Sequence, residues 1–218
     1  SGGWINGDSD GRWSDAANWE PGGGGVADGA TATADFSQLD LSEDRTVQLD
    51  TARTIGRLVF GDVEQSSPAS WTLSDAGNPD VPLTLASAGT PTIQVIYAGA
   101  SGDSNATVAA AGAAHPATLA VAISSVAGLT KLGWGTAALV RPLAMNGPLA
   151  VTEGYLRLDP GATLAPTGGT IGTSAQLRIE GGSFTTPGTL TIANGGTSGL
   201  QLIDGSASIS KITTSGDR

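Results

Sequence analysis

Short stretches of alternating apolar and polar residues recur along most of this chain. Thr46-Val47-Gln48-Leu49 is the first, and Thr54 to Phe60 follows, closed by Gly61-Asp62. Trp71-Thr72-Leu73, Leu83-Thr84-Leu85 and Thr92 to Tyr97 have the same period of two, which marks a half-buried strand. Beyond residue 117 the runs are shorter and closer together: Thr118–Ile123, Leu129–Leu132, Ala137–Val140, Leu149–Thr152, Tyr155–Leu158, Ala162–Ala165, Gln176–Ile179, Leu190–Ile192, Leu200–Ile203 and Ala207–Ile209. Most follow a Gly, the residue that turns corners needing positive φ. Gly182 and Gly199 are 17 residues apart, as are Gly188 and Gly205, a spacing of about one coil in a repeat protein. Residues 98–117 are rich in Ala and Gly, and Gly112 and Pro116 limit any helix there to a short turn.

These patterns predict an all-β fold, a right-handed parallel β-solenoid (β-helix) with three short strands per coil. A β-sandwich also has many short strands. The three-to-five-residue runs, the scarcity of two-residue Asn-Gly or Asp-Gly hairpins and the small residues at repeated corners favour the solenoid. The first 45 residues read differently. Trp4, Trp13, Trp19 and the run Gly22 to Gly25 suggest turns around aromatic anchors, an N-terminal cap segment (1–45) ahead of the solenoid proper (46–218).

Composition supports strands and turns. The chain has 33 Gly and 11 Pro, and its charged fraction of 14% is well below the roughly 25% of an average domain. With 39% hydrophobic residues it is too apolar to be disordered. Two Lys and five Glu are too few for long exposed helices. The net charge of −10 repels phosphate backbones and anionic lipids, which argues against nucleic acid and membrane surfaces as partners. Without Cys there is no disulfide framework, thiolate metal site or thiol nucleophile. No apolar run is long enough to span a membrane as a helix. The opening Ser1-Gly2-Gly3 is not a signal peptide and reads as a mature or trimmed start. The end at Ser215-Gly216-Asp217-Arg218 lacks the look of a cap, which predicts continuation or docking onto a neighbour.

Residues Gly128 to Leu158 resemble the autotransporter-associated β-strand repeat, with the form G-L-x-K-x-G-x-G-T-L-x-L, a loop, then T-x-V-x-x-G-x-L-x-L. Gly128, Leu129, Lys131, Gly133, Gly135, Thr136, Leu139, Val151, Gly154, Leu156 and Leu158 fall on it. Ala137-Ala138 and Arg141-Pro142 depart from it. Gly11, Trp13 to Trp19, Pro21 and Thr54 to Phe60 resemble the G-x-W-S-D-A-A-N-W-x-P and T-I-G-x-L-x-F segments at the N-terminal part of large proteins carrying such repeats. The resemblance implies an extracellular, surface-displayed or shed passenger-type β-helix.

Several residue groups have chemistry to weigh. Asn6-Gly7-Asp8-Ser9-Asp10-Gly11 matches the first half of a calcium loop, which makes Asn6, Asp8 and Asp10 candidate Ca²⁺ ligands. Position twelve is Ala17, where a bidentate Glu is needed, so a solvated turn is the simpler reading. Trp4, Trp13 and Trp19 could stack on sugar rings, or close the open end of the core. His115 stands alone before Pro116 and has no evident triad partners. Arg157 and Arg178 alternate with apolar residues, which puts them on an outer face with Glu153 and Glu180. Asn105-Ala106-Thr107 fits a glycosylation sequon.

The sequence therefore predicts a non-enzymatic extracellular or cell-surface module, structural or adhesive, with no obligate cofactor. Homo-oligomers through the solenoid ends, stacked head to tail into a fibre or stalk, are the expected partners. A carbohydrate-binding module is the second reading, and a β-helix polysaccharide lyase or hydrolase the third, on fold analogy alone.

Overall fold

The computed structural model describes residues 1–21, 25–63, 69–96, 115–196 and 198–215. The Asn105 sequon and the Ala/Gly-rich stretch before His115 lie outside them. Among the described residues, seventeen strands and one 3-10 turn, Ala16–Asn18, make up the regular structure. The strands are β1 (Gly2–Gly3), β2 (Gly11–Arg12), β3 (Gly29–Phe36), β4 (Arg45–Gln48), β5 (Arg53–Phe60), β6 (Trp71–Ser74), β7 (Leu83–Leu85), β8 (Thr92–Val95) and β9 (Ala117–Ala120). Then come β10 (Ile123–Ser125), β11 (Leu129–Leu132), β12 (Thr136–Leu139), β13 (Leu143–Met145), β14 (Leu149–Leu158), β15 (Thr163–Leu164), β16 (Gly169–Ala193) and β17 (Gly199–Ser215).

The all-β expectation agrees with this arrangement, but the right-handed parallel β-solenoid is corrected. The strands join one hydrogen-bonded sheet, a closed nine-strand parallel barrel with eight outer strands, which is a barrel-like arrangement. The physical reason is that short Gly-led runs record how often the chain turns. They carry no information about which distant strands share hydrogen bonds, and closure is decided there. The 17-residue spacing of glycines is not the structural step either. Gln176 faces Gly199, from 176 to 199 a step of 23, and Ala117 faces Ala137, a step of 20.

Every strand ladder is parallel and nearly all are in simple register, so like residues stand over like. Leu83, Ile123, Leu143, Leu164 and Phe184 form one buried column. Leu73, Leu119, Leu139, Leu158 and Ile179 form another. Each buried aliphatic side chain contributes roughly 1.5–3 kcal/mol relative to exposure. The alternation in sequence produces these columns, because residues two apart on a strand share a face.

The N-terminal segment belongs to the same core. Its strand β3 was not apparent in the sequence, where Ala30 to Ala34 offers only small residues, yet Ala32, Ala34 and Phe36 are buried. Phe36 is the hub of the aromatic cluster. Its ring lies 5.5–5.6 Å from Trp4, Trp13, Trp19 and Trp71 and stacks on Phe60 at 5.1 Å. Trp71 is therefore part of this cluster.

Truncating Phe36 removes the common partner of four indoles. Phe36→Ala should lower stability by about 3–5 kcal/mol. A urea titration followed by Trp fluorescence reads this as a lower midpoint with a red-shifted native spectrum.

Candidate functional site

The N-terminal turns hold most of the residues the sequence singles out. Trp13 and Trp19 are buried because their indole N–H groups find backbone partners: Trp13 Nε1 donates to the Ala27 carbonyl at 2.9 Å and Trp19 Nε1 to the Trp13 carbonyl at 2.7 Å. Trp4, also buried, donates to the Asn6 carbonyl at 2.7 Å and meets Trp19 edge to face at 5.1 Å. The three rings thus come together, but with their faces against each other and Phe36. None presents a flat face to solvent. The letters between them are structural too. Asp15 caps the 3-10 turn by accepting from Ala17 N at 3.0 Å, and the Ser14 amide donates to Asp50 at 3.0 Å. Buried Asn18 donates to the Arg12 carbonyl and accepts from Asn6, both at 3.0 Å.

Of the three candidate Ca²⁺ ligands, two are engaged. Asn6 Oδ1 accepts from the Ser9 amide at 3.3 Å, an Asx-type turn, and Asp10 Oδ1 accepts from the Thr46 amide at 2.7 Å. Asp8 is exposed. Among the described residues no group of three or more His, Asp or Glu is placed to hold a metal ion. Beside this turn lies a cleft of about 580 Å³ lined by Asn6, Asp10, Arg12, Asp15, Asn18, Gln48 and their neighbours. It is polar and open. His115 lies apart from it, beside Phe60 and Trp71.

A second cluster was only partly legible. Lys131 sits in the column Ile93, Lys131, Val151, Ile171, which is otherwise aliphatic, and is completely buried. Its Nζ donates to the carbonyls of Gly133, Gly135 and Glu153, the last at 2.9 Å. Glu153 returns the contact, its carboxylate accepting from the Gly133 amide at 3.1 Å, and Thr152 Oγ1 donates to the Lys131 carbonyl at 2.9 Å. The two halves of the repeat-like segment are thereby tied together. Gly154, at φ +62°, permits this approach. A Cβ there would lie 2.4 Å from the Trp134 carbonyl oxygen. Alternation predicts that some side chain at position 131 points inward, but nothing in a single sequence says that a Lys there is bonded to carbonyls two and four residues on.

Arg157 and Arg178 stand in register on the outer face. Arg178 pairs with Glu180 at 2.8 Å and lies 5.5 Å from the Tyr155 ring centre. Arg157 pairs with Asp159 at 2.7 Å and reaches Glu180 at 3.9 Å. Glu153 is not part of this ladder, because its carboxylate faces Gly133. Such outer pairs contribute roughly 0–1 kcal/mol each.

Burial pushes the Lys131 amine down from its ordinary 10.5 to about 7, with the Glu153 carboxylate opposing the shift. The unfolded chain keeps that proton up to about 10.5, while the folded chain releases it above about 7. Between those values the unfolded state binds more protons, so stability rises with pH. The effect is absent in Lys131→Met, which also removes one donor from each of three carbonyls. The stability gap between wild type and variant should therefore widen from pH 7 to pH 9.5. Urea midpoints of both proteins at the two pH values measure it, and a constant gap would contradict the assignment.

Compared with known proteins, the chain matches no family model, no curated protein and no solved structure.

Proposed function

We propose that this chain is a non-catalytic structural or adhesive module of the cell exterior. The observation that carries the reading is the use of its most distinctive side chains. Trp4, Trp13 and Trp19 fill the core, and Lys131 binds three carbonyls of its own backbone. These groups build the molecule and are turned away from solvent. The surface that remains is acidic overall and rich in Ser, Thr and Gly, which suits a soluble, displayed body. A core stabilised without any Cys does not depend on redox conditions. The likeness of Gly128 to Leu158 to the autotransporter-associated repeat supports placement outside the cell.

The polar cleft beside Asn6 and Arg12 favours one second reading, a carbohydrate-binding module. It offers donors and acceptors for hydroxyl groups. It lacks an open aromatic face, because the neighbouring indoles are buried, and sugar-binding clefts gain much of their affinity from such faces.

Affinity electrophoresis through gels cast with neutral and acidic polysaccharides separates the two readings. Assay of the same glycans for released reducing or unsaturated ends tests for catalysis. The structural reading predicts unchanged migration and no release. Retardation lost in Arg12→Ala would transfer the function to the cleft, and released product would overturn the non-catalytic reading.

A further inference from the structure

Trp13 is held from both sides by residues that carboxylates tie down. Its indole N–H donates to the Ala27 carbonyl, and the residue after Ala27, Asp28, is tied to β5. Asp28 Oδ1 accepts from the Thr54 amide at 3.1 Å, and Oδ2 accepts from the Arg53 guanidinium at 3.1 Å. On the other side, Ser14 follows Trp13 and is tied to the corner between β4 and β5. Its amide donates to Asp50 at 3.0 Å, and its hydroxyl donates to the second oxygen of the same carboxylate. Asp28 precedes Gly29, whose ladder partner is Ile55, and Ser14 lies just past Arg12, whose partner is Gln48. Both carboxylates therefore take over where a backbone ladder stops. Together they fasten the N-terminal turns to the stretch 50–54.

Such contacts are strongest while the acceptor is ionised. Partial burial pushes the Asp28 carboxyl up, but the Thr54 and Gly29 amides and the Arg53 guanidinium outweigh it and hold it below the ordinary 3.8. Partial burial acts on Asp50 in the same way, and the Ser14 hydroxyl and amide, its own amide and the charge of Arg12 outweigh it. The charge facing Asp28 is Arg53. Strand β7, next in register, sets Leu83 and Thr84 against Arg53 and Thr54 and adds no charge. The charged residues of the elements against Asp50 are Arg12 and Asp15 on the N-terminal turn and, on the corner after β6, Asp75, which is paired with Arg141. Beyond residue 117 the strands are joined by backbone ladders and aliphatic columns. Among the described residues there, the carboxylate that accepts an amide across the coils is Glu153, from Gly133, and Lys131 holds that turn as well.

We infer that Asp28 and Asp50 form an acid-sensitive latch around Trp13. In acid, the turns that carry Trp13 and Trp19 loosen from the β4–β5 corner, while the columns beyond residue 117 stay packed. The unfolded chain takes up both protons near 3.8, and the folded chain only below it. Between those values the unfolded state binds more protons, so the latch is fully effective above that range and is lost as the pH falls through it. The ladder of β3 with β5 and the stack of Phe36 on Phe60 do not depend on a carboxylate, so the loosening stops at the turns. The latch works whatever the surface binds, and needs neither the structural nor the glycan reading.

Acrylamide quenching of tryptophan fluorescence and far-ultraviolet circular dichroism, both followed from pH 6 to pH 2.5, test this. Trp4, Trp13, Trp19 and Trp71 surround Phe36, so the quenching reports mainly on the latched region. Quenching should rise reversibly below about pH 4 while the strand signal of the dichroism is kept. The opening equilibrium should grow by at most about tenfold per pH unit for each carboxylate, up to about a hundredfold for the two. Asp28→Asn combined with Asp50→Asn keeps an acceptor oxygen at both places and removes the titrating charge, so the double variant should lose most of the rise. Quenching that stays level down to pH 2.5 would overturn the latch. So would loss of the dichroism in the same step, because the molecule would then open as a whole, and so would a double variant that follows the wild type. Carbon-13 NMR titration of the wild-type Asp side chains needs no variant. Asp28 and Asp50 should both titrate below 3.8, and a midpoint at or above that value for either would overturn its part in the latch.

Discussion

Parallel register is the constraint on which the rest of this structure depends. From β9 onward the chain returns to the same position about 20 residues later, and whatever occupies a core-facing site must fit between its partners in register. Columns such as Leu73, Leu119, Leu139, Leu158 and Ile179 are the result. Near the N-terminal strands Trp4, Trp13 and Trp19 fill the core, and their N–H groups are satisfied by backbone carbonyls.

The same constraint explains Lys131. A tight turn through Gly133 and Gly135 aims carbonyls inward, where the Tyr155 amide reaches that of Gly135 at 3.3 Å and Lys131 serves both, and a buried unsatisfied carbonyl costs roughly 1–3 kcal/mol. A long side chain ending in several donors fills the column with its methylenes and satisfies the turn with its amine. Burial disfavours the charge on that amine, and the number of acceptors around it favours the ammonium with its three donors. A motif that in other settings would suggest a catalytic or anion-binding Lys next to glycines has here a positional purpose.

Much of this was legible in the sequence, and the limits of legibility have physical causes. Alternating runs such as Tyr155 to Leu158 gave strand and face correctly, because period-two burial is local. The pairing of Arg178 with Glu180 followed from the same alternation. Strand β3 was hidden because Ala and Thr make a weak hydrophobic signal, and only the structure shows that the space opposite Ala32 and Ala34 is full. Sheet closure, the 20- to 23-residue steps and the partners of Lys131 are non-local, set by contacts that no window of sequence contains. In the N-terminal turn, the spacing of Asn6, Asp8 and Asp10 matched a cation loop, but amides of the turn itself and of β4 occupy Asn6 and Asp10.

The central claim is that the parallel columns and the buried Trp cluster carry the stability of this core. Hydrogen–deuterium exchange followed by mass spectrometry tests it most directly. The account predicts that β12, β14 and the turns that hold Trp4, Trp13 and Trp19 exchange slowest. Fast exchange in those segments would contradict it.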